Sequence, residues 1–137
     1  MHYIKRSSSG ITIGLSDETK TVSIGLRAYL EQLCNDVLTT MDGRMHALRK
    51  QLALKYHVPL YINRRVALYT THPLRHMDTV CINYYEVLSI DPHTHNQSCV
   101  VFKDLSCLVV DVSRERLSKK HEKTGRILAN IAKIVSA

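Results

Sequence analysis

The chain has 137 residues, of which 45% are hydrophobic and 23% charged, and its formal net charge at neutral pH is +7. That length fits a single domain, 1–137, large enough to bury roughly two-thirds of its unfolded surface. No apolar run reaches the ~18 residues of a membrane-spanning helix, and the opening residues MHYIKRSSSG lack a signal-peptide core and transit-peptide character, so a soluble, cytoplasmic protein with no membrane partner is expected.

In chain order, Ile11, Ile13 and Leu15 alternate with small or polar residues and predict a first strand over 10–15. Residues 16–20 read as a turn, and 22–26 as a short strand or the lead-in to a helix. Leu30, Leu33, Val37 and Leu38 fall at helical spacing, with Cys34 on the same face, and predict a helix over 27–39. A break with a cap at 40–43 precedes a second helix over 44–56, with Arg44, Arg49, Lys50 and Lys55 on its exposed side. From Val58 the period changes to two. Leu60 and Ile62, then Val66, Leu68 and Thr70, predict a hairpin turning at Asn63, Arg64 and Arg65. Residues 71–78 form a loop around Pro73. One long strand is expected over 80–90, ended by Asp91 and Pro92. A turn at 93–97 follows, then strands over 98–103 and 105–113. Ser113 is an N-cap candidate for a last helix. Leu117, Thr124, Leu128, Ile131 and Val135 mark its apolar side, widened by Ile127 and Ile134. Gly125 there costs ~1 kcal/mol relative to Ala. The sum is an α+β plan: a mostly antiparallel sheet with about three packed helices.

Positive charge is unevenly placed. Six of the thirteen residues from 114 to 126 are Lys or Arg: Arg114, Arg116, Lys119, Lys120, Lys123 and Arg126. An unpaired cationic face attracts phosphates and releases their counterions. Arg64 and Arg65 in one loop, and Thr71, His72, Arg75 and His76 in another, flank a short strand. Arginine suits a narrow, A·T-rich minor groove, where the potential is most negative. Threonine and histidine add phosphate hydrogen bonds. These residue types point to a polyanion partner rather than to a catalyst.

Other chemistries find less support. His72 and His76 are four apart but separated by a proline, and His93 and His95 flank a turn; neither pair joins a cysteine at zinc spacing. There is no phosphate-binding glycine loop and no nucleophile elbow, and the acids are scattered. No enzyme activity, metal or cofactor is expected. Cys34, Cys81, Cys99 and Cys107 form no C-x-x-C pair and read as buried free thiols.

A series of short motifs runs through the chain: Gly43-Arg44, then PLYI at 59–62, LYTT at 68–71, CINYYEV at 81–87, VFKDLS at 101–106, and DVS at 111–113 leading into a helix. In that order they resemble the ComK family of competence transcription factors, most firmly over 43–126, and the strand at 10–15 is similar to the family's opening strand. The sequence departs at Tyr69-Thr70, where the family has Phe-Pro, leaving Thr71 as the match to the family's threonine. It departs again at Cys81, where the family has tryptophan. It is also expected to lack the C-terminal extension of longer members.

The resemblance implies a DNA-binding transcription activator that recognises A·T-rich paired boxes by minor-groove contact and self-associates. Further partners would be RNA polymerase or a proteolytic adaptor. It does not assign reading residues. Charge and placement nominate Arg64, Arg65, Thr71, Arg75, Arg114, Arg116, Lys119, Lys120, Lys123 and Arg126. The alternative is a truncated regulator-like protein that modulates a partner by oligomerising, without binding specific DNA itself.

Overall fold

The structure is a computed structural model. It describes residues 1–54 and 57–136, with only the backbone of Val135 and Ser136. Among the described residues, nine strands and three α-helices follow in the order β1 (Tyr3–Ser7), β2 (Gly10–Gly14), β3 (Thr19–Val22), α1 (Leu26–Asn35), α2 (Met41–Leu52), β4 (Leu60–Asn63), β5 (Val66–Thr70), β6 (Val80–Asn83), β7 (Val87–Pro92), β8 (Ser98–Phe102), β9 (Cys107–Val110) and α3 (Arg114–Ser136). Six strands form one sheet in the order β3-β2-β1-β6-β5-β4, and three form a second, β7-β8-β9. Every pairing is antiparallel. This is the α+β class expected, with the strands divided between two sheets.

The large sheet is covered on both faces, and its central strands read accordingly. All four residues of β6 are buried, as a strand sandwiched between layers requires. Cys81 and Leu68 pack with Ile4, Ile11, Leu26, Leu30 and Cys34 under α1. Val80, Ile82 and Tyr69 pack on the other face with Val100, Phe102 and Val110 of the small sheet and Leu117 of α3. A third cluster joins Leu48 of α2 and Ala67 of β5 to Ile127, Leu128 and Ile131 of α3. The last helix therefore packs into the core.

Several sequence expectations need correction. The predicted strand over 80–90 is two strands in two sheets, separated by a 3-10 turn at Tyr84–Glu86. The cause is Asn83, which is 1% exposed. Its Nδ2 donates to the carbonyls of Met1 and Arg65, both at 2.9 Å, and its Oδ1 accepts from the amides of Ala67 and Tyr85. These bonds turn the chain out of the large sheet. The strand β1, ahead of the predicted first strand, was not anticipated. β3 begins at Thr19 and takes in the last two residues of the predicted 16–20 turn. The first helix stops at Asn35 rather than Thr39, and Leu38 lies outside it, 96% exposed with φ 64°.

Gly43 is no break: α2 starts at Met41, and the Thr40 hydroxyl caps it by accepting from the Gly43 amide at 3.0 Å. The helix ends at Leu52, short of the predicted Tyr56; Lys55 and Tyr56 lie outside the described residues. Ile134 is 49% exposed rather than on the buried side of α3, and the side chain of Val135 lies outside the description. Cys34 and Cys81 are buried free thiols, but Cys99 is partly exposed and Cys107 is exposed. Both project from the outer side of the small sheet, the side away from the core.

Candidate nucleic-acid interface

A groove of about 920 Å³ opens between α1 and α2 on one side and α3 on the other. The edges of β4, β5 and β6 form its floor, and the loop at 71–74 closes part of its rim. Arg116, Lys119, Lys120 and Lys123 project into it from three successive turns of α3. Helical periodicity explains this: residues three and four apart share a face, and Leu117 and Thr124 on the adjoining face are buried. Ser113 starts the helix as expected, its hydroxyl accepting from the Arg116 amide at 3.4 Å.

Arg27 from α1 and Arg49 from α2 face these cations across the groove, with His57 and His72 nearby. Sequence reasoning did not join Arg27 and Arg49 to the site. They lie some seventy to ninety residues before the α3 cations, and only the packing of α1 and α2 on the sheet brings them close. Asp42 is the one carboxylate among the described lining residues, and Arg27 occupies it at 3.0 Å. Among the described residues, no ion pair engages Arg49, Arg116, Lys119, Lys120 or Lys123.

Lys120 is the most enclosed of these cations. Its Nζ donates to the Thr70 hydroxyl at a long 3.5 Å. Burial, and next the neighbouring Arg116, push its ammonium below the usual lysine value, and Lys123 adds to the effect. Burial, then Lys120 and Lys123, likewise lower His57. In both, burial is the larger cause and the neighbouring cations the smaller one, and an anion would relieve the second.

The other nominated residues sit elsewhere. Arg64 and Arg65 are exposed at the β4–β5 turn. Asn63 fixes that turn by accepting from the amides of Arg65 and Val66 at 2.8 and 3.0 Å. The turn and the groove are at opposite ends of the five residues of β5, roughly 17 Å apart at ~3.4 Å per residue.

Arg75 is exposed in the loop after β5. That loop is braced by Arg6, which donates to the carbonyls of His76 and Leu74 at 2.6 and 2.7 Å, a positioning role invisible in the sequence. Within the loop the His72 and His76 rings stack at 4.5 Å. Thr71 borders the groove but is 9% exposed. Its hydroxyl is committed to the Val80 amide and the His72 ring, both at 2.9 Å. Arg114 turns away to donate to the Ile90 carbonyl at 3.2 Å. Arg126 is exposed one turn beyond Lys123.

The family model described as ComK protein matches residues 3–135. The chain belongs to the ComK family. Membership agrees with the motif order read from the sequence and places the chain among competence-type transcription factors, a family of regulators rather than enzymes. Comparison with curated proteins and with solved structures finds no match. No described helix is long and apolar enough to cross a membrane.

Proposed function

We propose that this ComK-family chain is a double-stranded-DNA-binding transcription activator of competence type that prefers A·T-rich paired boxes. The observation that carries this reading is the groove, where cations from three helices face one another with a single, already paired carboxylate among the described lining residues. Such a surface takes up phosphates and releases their counterions, giving salt-sensitive affinity. Selectivity would come from Arg64 and Arg65, which stand exposed on a turn held rigid by Asn63 and Asn83. They have the chemistry to enter a narrow minor groove. The work is binding and positioning, in the cytoplasm, with no bond made or broken.

Self-association would place two such surfaces on paired boxes. It is supported by the small sheet, where Val109 is 43% exposed on the outer side and Leu105 is 75% exposed in the β8–β9 turn. The same patch favours the second reading, a partner-modulating protein that oligomerises without specific DNA binding. RNA polymerase or a proteolytic adaptor would be further partners of an activator of this kind.

Fluorescence anisotropy on two labelled duplexes of equal length, one with paired A·T tracts and one G·C-rich, separates the readings. Tight, salt-dependent binding that favours the A·T duplex is expected. Equal, weak binding to both would leave the second reading.

A further inference from the structure

The floor of the groove is unlike a phosphate-binding surface. Met45, Val58 and Leu74 are the partly exposed apolar residues along it, with the buried Leu30, Met41, Leu60 and Leu117 behind them. A face used only for a DNA backbone needs no apolar trough beneath its cations. Small-ligand sites combine the two: a mostly apolar cavity of roughly 300–1,000 Å³ with a few convergent polar groups. At about 920 Å³ this groove falls in that range.

We infer that the groove binds an amphipathic anion, an aliphatic chain ending in a phosphate or carboxylate head. The chain would lie over the partly exposed Met45, Val58 and Leu74, where methionine adapts to an irregular aliphatic partner. The head would meet Lys120, flanked by Arg116 and Lys123 on adjacent turns. Lys120 is half-buried at the edge of the apolar floor, with only the Thr70 hydroxyl at 3.5 Å and no ion-pair partner among the described residues.

An aromatic or nucleotide body fits less well. The lining tyrosine, Tyr69, is 3% exposed, and its hydroxyl is engaged by His121 at 2.8 Å. That leaves no tyrosine face for a base to stack on. The site stands on the groove alone. Its regulatory consequence, displacement of DNA from Arg116, Lys119, Lys120 and Lys123, rests on the function proposed above.

The test is calorimetric titration of the full chain with dodecyl phosphate below its micelle concentration, beside inorganic phosphate, dodecanol, ADP and an acidic amphipathic peptide. Saturable one-site binding of dodecyl phosphate is expected, with each comparison ligand weaker by about tenfold or more. Lys120→Met keeps the aliphatic stem and removes the charge; it should weaken binding by about tenfold or more, as loss of a charge-assisted contact does. Lys133→Ala, exposed on the last turns of α3, should leave it unchanged.

Equal binding of inorganic phosphate or ADP, or an unaffected Lys120→Met variant, would overturn the site. Preference for the peptide would overturn it in favour of a protein partner. Displacement of duplex is read separately. Dodecyl phosphate that binds without lowering duplex affinity keeps the ligand site and removes the α3 cations from the DNA interface. Salt-dependent duplex binding with no uptake of dodecyl phosphate rejects the site and leaves the DNA reading intact.

Discussion

Two polar residues tie the layers together, the buried Asn83 and the half-buried His121. Asn83 ties the N-terminus, the β4–β5 hairpin and the 3-10 turn into one knot through Met1, Arg65, Ala67 and Tyr85. Asn83→Ala would leave buried backbone groups without partners. At ~1 kcal/mol per bond and more for each stranded group, it should cost about 3 kcal/mol or more, measured by urea unfolding. A cost under about 1 kcal/mol would show that water replaces these bonds.

His121 is the second. Its Nδ1 meets the Tyr69 hydroxyl at 2.8 Å, and its ring stacks on Tyr84 at 4.5 Å. Burial holds its pKa below the ordinary histidine value, with Glu122 opposing. The folded chain therefore binds this proton less readily than the unfolded chain. The stability it contributes is full above the unfolded value of about 6.5 and is lost as pH falls from there towards the folded value. His57 and His72 shift in the same direction. The melting temperature should drop between about pH 7 and pH 5, and His121→Gln should flatten that drop. An equal drop in the variant would assign the titration to other groups.

At the scale of elements, periodicity made the β4–β5 hairpin, β8, β9 and the buried side of α3 legible. Leu68 and Tyr69 point to opposite covered faces, as alternation requires. The β6–β7 break was hidden because an apolar pattern continues across Asn83, and only tertiary hydrogen bonds divide it. β1 was hidden because Tyr3–Ser7 has a single fully buried apolar residue, Ile4. The glycine at 43 looked like a break but donates to the cap.

Gly125 shows the same limit. In an open helix, Gly→Ala gains ~1 kcal/mol. Here a Cβ would approach the Tyr84 hydroxyl to 2.5 Å, and the Tyr84 ring is held against His121. Gly125→Ala should therefore lower the melting temperature. A rise would show that Tyr84 moves aside at little cost. The candidate site divides likewise: the α3 cations stand out as a run in the sequence, whereas Arg27 and Arg49 join them only through folding, and Thr71 proves committed within its own loop.

For the whole molecule, α3 couples core and function. One side buries Leu117, Thr124, Ile127, Leu128 and Ile131, while the side facing the groove carries Arg116, Lys119, Lys120 and Lys123. The core thereby fixes the spacing of the cations, and replacing them need not unfold the helix. The central claim is that these cations hold DNA phosphates. The salt dependence of duplex affinity tests it most directly, measured for the native chain and for a variant carrying Lys119→Ala, Lys120→Ala and Lys123→Ala. Each lost phosphate contact should flatten the slope of log K against log salt by about 0.9, so the variant should bind more weakly with a slope shallower by up to about 3. A folded variant with an unchanged slope would contradict the account and place any DNA surface elsewhere on the molecule.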